Sequence, residues 1–529
     1  MEKSKAGSGR NQSVWAATAT MPSYAPLEAD TTADVCVVGA GIAGLTTAYL
    51  LTQAGKSVVV LEKGELAAGM TQVTTAHLAN ALDDRYTEIE RLHGEAGAKL
   101  AAESHTAAID RIEMIARTEG IDCDFLRVDG YLFLSPEHDE QLLDDELAAA
   151  RRAGLRNVEK IRQAPIASFD TGPCLRFPAQ GQFHPLKYLA GLARAIERGG
   201  GHIHPNSKAE QIEGGPPARV RANGHTVTAG SVVVATNTPV NDMVVIHTKQ
   251  APYMTYVIGA TVPRGSVERA LYWDTEDPYH YVRLQPLGDD DTGSTGAGTG
   301  AAGPGATTED ARDLLIVGGE DHKTGQADDT LARHARLEEW TRQRFPMIED
   351  IAFTWAGQVM ETIDGVALIG RNPLDTENVF VVTGDSGMGM THGTIAGMLL
   401  TDLIMGRENA WATLYDPSRK TMGAAGEFAK ENVNVAAQYA DWVTGGDVSS
   451  PDEIPKGWGA VIRRGLSKVA VYRDDEGAVH ERSAVCPHLG CIVHWNANER
   501  TWDCPCHGSR FEPRGKVFNG PANSDLGKV

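Results

Sequence analysis

The most constraining stretch lies near the end of the chain, where Cys486-Pro-His488-Leu-Gly-Cys491 is followed, after an interval, by Cys504-Pro-Cys506-His507-Gly508-Ser509. Each box offers a thiolate and an imidazole, so two loop tips must meet at one point and the segment around them must fold to allow it. Two sulfurs and two nitrogens suit tetrahedral zinc. Zinc fingers, however, usually draw both sulfurs from one arm and both nitrogens from the other, whereas here each arm supplies one of each. Mixed arms suit a [2Fe–2S] cluster with two Cys on one iron and two His on the other. Cys491 and Cys506 lie inside the same boxes, at positions that cannot all ligate.

In both respects the stretch resembles the Rieske family. The resemblance implies that Cys486 and Cys504 hold one iron and His488 and His507 the other. It also implies a disulfide between Cys491 and Cys506 that ties the loops, and a covering proline loop at Gly520-Pro521-Ala522. A small all-β Rieske domain over 451–529 is expected. Ser509 follows the His-Gly pair, as in high-potential members, and its hydroxyl can donate to a cluster sulfur. Those members commonly place Tyr where this chain has Phe511. Hydrogen bonds to the sulfurs raise the potential, so the expected midpoint lies above that of ferredoxins and below that of respiratory Rieske proteins.

A second constraint stands at the other end. Asp34 to Val38 is a short β-branched run, and Gly39-Ala-Gly41-Ile42-Ala43-Gly44 follows at once, leading into an apolar helical stretch. Glycines at these positions allow a tight turn and the close approach of a pyrophosphate, while the helix start supplies unpaired N–H groups. Ser57 to Leu61 reads as the next strand, and Glu62 ends it where a carboxylate can accept from ribose hydroxyls. Further on, Ser231 to Thr236-Asn237 is a buried-type strand with a small polar end. Asn378 to Gly384 is another, and it enters Gly387-Met-Gly389-Met390-Thr391-His392, a second glycine-rich turn at a helix start.

Across roughly 33–406 the chain resembles the glycine oxidase and sarcosine oxidase superfamily of FAD amine oxidoreductases, and within it the bacterial subgroup with a C-terminal Rieske domain. Gly69-Met-Thr71-Gln-Val-Thr74-Thr75-Ala76-His77, Gly318 to His322-Lys323 and Leu414 to Arg419 carry that likeness. The resemblance implies FAD held by these segments: the first turn with Glu62 and Lys63, the Thr71 to His77 stretch, Thr236 and Asn237, and the residues from Gly384 to Thr391. It also implies an α/β (α+β) fold, with a Rossmann-type FAD-binding domain interleaved with an antiparallel-sheet substrate domain. The expected divisions are an N-terminal arm over 1–30 and an oxidoreductase over 31–410, followed by a helical connector with a short hinge over 411–450. FAD-binding segments are expected at about 31–95, 185–240 and 360–410, and substrate-domain segments at about 120–185 and 240–360. Within the latter, 288–310 is almost wholly Gly, Ala, Thr, Ser and Asp, too polar to offset its ordering entropy, and reads as a mobile hairpin loop.

In that superfamily an amine gives hydride from its α-carbon to the flavin, and no single general base is needed. Tyr253, Tyr256, His280, Arg283 and His322 are the candidates for the substrate face. Strand alternation puts Tyr279, Tyr281 and Arg283 on one face and His280 on the other, and a guanidinium can clamp a carboxylate; an interdomain ion pair would use the same residue type. His77 and His392 flank the glycine-rich segments as flavin neighbours or structural hydrogen-bonders. Trp355 reads as core and Asp364 as a turn residue. The resemblance implies a non-covalent flavin, since Phe353 to Asp364 holds no cysteine. It also makes oxygen a doubtful acceptor, since Leu314 to Glu320 holds no lysine.

Lys and Arg number 49 against 70 Asp and Glu, a net charge of −21 that argues against nucleic acid or an anionic membrane as partner. From Pro451 onward lie 11 of the basic and 10 of the acidic residues, so the body carries −22 and the C-terminal part +1. A reduced cluster gains negative charge, and repulsion from the acidic body is expected to help it leave. No signal or membrane-spanning run is legible, and cytoplasm is the default expectation. Of seven cysteines, the ligands and the bridge leave Cys36, Cys123 and Cys174 as scattered thiols. A disulfide sits awkwardly in a reducing compartment unless the cluster shields it. The expected function is oxidation of a small amine or amino acid, with electrons passed singly to the cluster and on to a one-electron acceptor or redox protein. The alternatives are a peroxide-forming amine oxidase with a structural cluster, or an electron carrier or redox sensor without amine turnover.

Overall fold

A computed structural model describes residues 12–241, 246–287, 311–373 and 375–529. Three β-rich units build it. The first is an 8-stranded, mainly parallel sheet. Its centre is Thr31–Val38, flanked in parallel by Val58–Leu61 on one side and His225–Val234 on the other, with Val379–Thr383 parallel beyond that. These runs are Val-rich and buried on both faces, as parallel strands covered by helices must be. Helices Ile42–Gln53 and Gly389–Ile404 pack together over this sheet, their starts aimed at the same edge.

The second unit is a 9-stranded, mainly antiparallel sheet. Gln250–Pro263 is its longest strand, one in from the edge, paired with Arg312–Lys323 on one side and the edge strand Ile351–Thr362 on the other. Tyr281–Pro286, Leu271–Asp274, Leu126–Phe133 and Cys174–Gln182 extend it. Because the chain enters this sheet several times between visits to the first, the two units are interleaved, and their facing edges enclose one cavity. The expected hairpin over 288–310 lies outside the described residues.

The third unit is all-β. Trp458–Arg464, Ser467–Arg473 and Val479–Ser483 form one antiparallel sheet, and four short strands from His494–Asn496 to Val517–Asn519 form another. Its core holds Val461, Tyr472, Trp502 and Phe511 together with the box cysteines.

The segment read as an arm is partly built into the body. Helix Val14–Thr18 buries Trp15, whose indole N–H donates to the Thr74 carbonyl at 2.6 Å, and Ser13 donates to the Gln72 carbonyl at 2.5 Å. A five-residue helix carries too little periodicity to announce itself in sequence. The connector contains helix Ala425–Gln438 and a short turn at Tyr439–Trp442. It lies across both halves: Lys323 pairs with Glu431 at 2.6 Å, while Tyr439 and Trp442 donate to the Leu489 and Gly490 carbonyls in the first Cys/His box.

Candidate flavin and cluster sites

The cavity between the two sheets measures about 940 Å³. One end is the first glycine turn. Gly39 has φ +109°, and a Cβ there would lie 2.3 Å from the Ala235 carbonyl oxygen; one on Gly44 would lie 1.9 Å from that of Gly39. These are close approaches that only glycine permits. Glu62 accepts from the Ala40 and Gly64 amides at 2.8 and 3.2 Å, and Thr71 accepts from the Ile42 amide at 3.1 Å, so the loop is braced before any ligand arrives. Asn237 sits in the wall with its buried Nδ2 lacking a hydrogen-bond partner among the described residues. An unpaired buried donor beside a dinucleotide turn and a helix start fits FAD.

Of the expected flavin residues, Gly39, Gly41, Ile42, Ala43, Glu62, Lys63, Thr71, Thr74, Thr75, His77, Thr236, Asn237, Gly384, Gly387, Gly389 and Met390 line the cavity. Gly44, Ala76 and Thr391 do not. Gly44 serves strand-to-helix packing, the Ala76 carbonyl accepts from Arg283, and the Thr391 hydroxyl turns inward to His105 Nδ1 at 2.9 Å. His77 and His392 both reach the wall, and burial holds them neutral by driving their pKa values down to about 3 and about 4.

The substrate candidates fare differently. Arg283 is 0% exposed, and its guanidinium donates to the carbonyls of Ala76 and Phe183 at 3.0 and 3.1 Å and to Gln285 Oε1 at 2.6 Å, with the Trp15 ring 5.3 Å away. It is consumed in bracing the Thr75–Ala76 turn and cannot clamp a substrate carboxylate. His280 does face the opposite way from its neighbours, where it meets Asp274 at 2.9 Å and stacks on Trp340 at 4.1 Å. Tyr256 and His322 bond to each other at 3.0 Å on the far side of the sheet. Of the five candidates only Tyr253 lines the cavity. The residues missed are those one step along each strand: Thr255 and Val257 rather than Tyr256, Tyr279 and Tyr281 rather than His280, and Asp321 rather than His322. Asp83, Asp84, Asp277, Glu361 and Asp385 stand in the same wall. Asp364 is a turn residue paired with Arg419, and Trp355 is buried with its N–H on the Val73 carbonyl at 2.9 Å.

At the two boxes, Cys491 and Cys506 form a disulfide that joins the loops. Cys486 and Cys504 are free, buried thiols that hydrogen-bond each other. The Cys504 side chain, the amides of His488 and Leu489 and the Ser509 hydroxyl together hold the Cys486 thiol below its ordinary value, outweighing burial. The His488 and His507 rings stand 5.0 Å apart, and His507 Nδ1 is buried without a hydrogen-bond partner among the described residues. Two adjacent thiols and two adjacent imidazoles, one with an unpaired ring nitrogen, fit a [2Fe–2S] cluster with mixed ligands. The Ala522 amide donates to the Ser509 hydroxyl at 2.9 Å, which turns the Ser509 proton toward sulfur and seats the proline loop over the site.

The cluster loops press on the flavin cavity. Gln358, in the cavity wall, donates through Nε2 to the Gly508 carbonyl at 2.9 Å and accepts from Asn519. Gly508 has φ +77°, and a Cβ there would lie 2.5 Å from both Gln358 Nε2 and Pro252, so glycine is required at the contact. His247 stands edge-on to His488 and His507 at 4.9 and 6.0 Å. Residues Lys516 to Gly520 of the third unit themselves form part of the cavity wall.

This fold and this pair of sites define an FAD-dependent oxidoreductase carrying a Rieske [2Fe–2S] domain. Residues 34–403 match the FAD dependent oxidoreductase (DAO) family and residues 446–529 the Rieske [2Fe-2S] domain, so the chain belongs to the DAO family with a C-terminal Rieske domain. It is 30% identical over 523 residues to YhfW of Bacillus subtilis, described as a Rieske 2Fe-2S iron-sulfur protein, covering 98% of this chain and 97% of that one. It is 29% identical to the gamma-glutamylputrescine oxidoreductase of Escherichia coli, over 74% of this chain and 89% of that one. The glycine oxidase of Geobacillus kaustophilus shares the fold with a TM-score of 0.57 at 17% identity, covering 74% of this chain and 99% of that one. No helix among the described residues is long and apolar enough to cross a membrane.

Proposed function

We propose that this enzyme oxidises an amine or amino acid at the carbon beside nitrogen and sends the electrons one at a time through its own Rieske cluster to an external one-electron acceptor. Bound FAD supplies the hydride acceptor; the substrate nitrogen forms a C=N bond as hydride leaves, and water then splits the imine to a carbonyl compound and an amine. The chain's own part is to orient and to exclude water. Tyr253, Tyr279 and Tyr281 enclose the substrate end, and the two wall histidines stay neutral and hold their loops: His77 bonds Thr75 Oγ1 at 3.0 Å and His392 the Asp385 carbonyl at 2.8 Å. Both the gamma-glutamylputrescine oxidoreductase and the glycine oxidase are named for substrates with a C–N bond to oxidise, which supports the same bond here.

The observation that carries the electron route is Gln358, one side chain that belongs to the flavin cavity and hydrogen-bonds the residue after cluster ligand His507. Anaerobic mixing of the holoenzyme with a panel of amines and amino acids tests the proposal. Flavin bleaching followed by the reduced-cluster electron paramagnetic resonance signal is expected. A bleached flavin beside a cluster that stays oxidised, with peroxide formed stoichiometrically once air is admitted, would overturn it in favour of an oxidase.

A further inference from the structure

Several carboxylates converge on the substrate end of the cavity, Asp84 and Asp277 beside the four that carry the argument, which come from four separate elements. Asp83 comes from the turn after His77–Leu78, Asp321 from Arg312–Lys323, Glu361 from Ile351–Thr362 and Asp385 from the loop after Val379–Thr383. Asp83 and Asp385 are positioned from within the protein: Tyr279 donates its hydroxyl proton to Asp83 at 2.9 Å, and the Met360 amide donates to Asp385 at 3.3 Å. The other two are less fully engaged. Thr255 bonds the Asp321 carboxylate, whose Oδ1 is left without a partner among the described residues, and Glu361, half-buried in the wall, makes no hydrogen bond or ion pair among them. Acceptors left open in a cavity wall are groups that a ligand's donors are expected to satisfy.

Among the described residues, no lysine or arginine lines this end. The lysines of the wall, Lys63, Lys208 and Lys516, stand at the glycine-turn end, where Lys63 and Lys208 donate to the Phe518 and Asn523 carbonyls. Arg283 is occupied elsewhere. A substrate carboxylate would therefore meet only its own sign of charge. Burial and mutual repulsion among Asp84, Asp321 and Asp385 push Asp83 up to about 7, and burial pushes Asp321 and Asp385 up to about 6. The ring faces of Tyr253, Tyr279 and Tyr281 border the same space, and aromatic faces attract cations. A nitrogen that gives up hydride from its neighbouring carbon must be uncharged at that moment, so it cannot be the charge these carboxylates balance. That charge has to sit on another nitrogen of the same molecule.

We propose that the substrate is a diamine-type cation without a carboxylate: its reacting nitrogen is neutral at the flavin, and a second, permanently protonated nitrogen is held by Asp321 and Glu361 with Asp83 and Asp385 behind them. This rests on the amine-oxidation reading and narrows it. It separates the chain from oxidases of simple amino acids, which need a cationic partner for the carboxylate in the same place.

The test uses holoenzyme and two readouts. In the first, 1,4-diaminobutane and its N-alkyl and N-acyl derivatives, butylamine, glycine, sarcosine and proline are mixed anaerobically with the enzyme and flavin bleaching is followed. In the second, a non-reducible pair, (4-hydroxybutyl)trimethylammonium and its neutral carbon isostere 5,5-dimethylhexan-1-ol, is titrated against the flavin spectrum. Diamines carrying a free terminal ammonium are expected to bleach the flavin at least about tenfold faster than butylamine or any amino acid, and the quaternary ion to bind at least about tenfold more tightly than its neutral isostere. Asp321→Asn and Glu361→Gln are each expected to erase most of that preference while the flavin content stays the same. Bleaching by glycine, sarcosine or proline as fast as by diamines, or equal binding of the cation and its neutral isostere, overturns the inference and leaves the amine or amino-acid reading standing. Selectivity for the cation with no bleaching by any compound supports the cation site and removes the amine-oxidation reading instead.

Discussion

Arg419 donates to both oxygens of Asp364, at 2.6 and 2.8 Å, and to the carbonyls of Ala367 and Val366, with the two side chains 9% and 5% exposed. Burial pushes the Asp364 carboxyl up, but Arg419 and the Thr421 hydroxyl more than offset it and hold it below the usual range. Removing one partner leaves a buried charge, so Arg419→Ala is expected to cost about 3–5 kcal/mol in denaturant unfolding, while Arg419→Met with Asp364→Asn costs much less. A depressed carboxylate contributes stability above its unfolded value and loses it as pH falls through the folded one. Acid unfolding of the wild type below about pH 4 is therefore expected to lose this contribution, and the doubly substituted chain should lack that part of the slope. Ser509 makes a second prediction at this scale. Its hydroxyl supports a thiolate at Cys486, so Ser509→Ala should lower the cluster midpoint by on the order of 60 mV, the one-electron equivalent of about 1.4 kcal/mol, in a redox titration. The sequence showed Asp364 as a turn residue and Ser509 as a tuning residue because both roles are local. The Arg419 partnership spans 55 positions and had no local signal.

Among the elements, the glycine turns and the Cys/His boxes were legible because each needs particular residue types at fixed spacing. The substrate wall was not, for a reason particular to strands. Alternation says which residues share a face but not which face meets the cavity. Tyr253 and Tyr256 both sit on Gln250–Pro263, three positions apart and so on opposite faces, and only the face of Tyr253, Thr255 and Val257 meets the cavity; the register irregularity lies in the partner strand, where Glu320 has φ +61° between the Met254–His322 and Tyr256–Gly319 pairs. Depth is hidden too: Arg283 shares a face with Tyr281 yet lies one step beyond the cavity, under Trp15. Glu361 yields a prediction at this scale. Burial, with Asp84, Asp83, Asp385 and Asp321 nearby, raises its carboxyl well above the ordinary value. A raised carboxylate costs stability when ionised and returns it as pH falls through the folded value. Glu361→Gln is thus expected to raise Tm by about 1–3 °C near pH 7.5 and by less near pH 5, in a thermal melt without substrate. Stability gained where function is lost is the usual mark of a binding group.

At the scale of the whole molecule, the net charge of −22 on the body misdescribes the face that the Rieske domain meets. That face presents Lys63 and Lys208, both donating to backbone carbonyls of the C-terminal segment, and the neutral amide of Gln358. Lys63 and Lys208 thus oppose, on this side of the contact, the expected repulsion of a reduced cluster by an acidic body. The connector reinforces the seat, since Lys323–Glu431 fastens it to the body and Tyr439 and Trp442 fasten it to the first box. Close, partly buried contacts are screened little by salt. Raising salt from about 0.05 to about 0.5 M should then leave the rate of cluster reduction after anaerobic flavin bleaching within about twofold, whereas release driven by bulk repulsion would respond strongly. Loosening the seat itself should matter more. Lys208→Met combined with Asn519→Ala removes one charged and one neutral hydrogen bond across the contact, about 2–4 kcal/mol in sum. Cluster reduction should slow by about tenfold or more in that variant. Because Lys516 to Gly520 wall the cofactor cavity, FAD should also be lost faster on dilution. An unchanged transfer rate with an unchanged flavin content would mean that electrons reach the cluster from some other arrangement of the two halves.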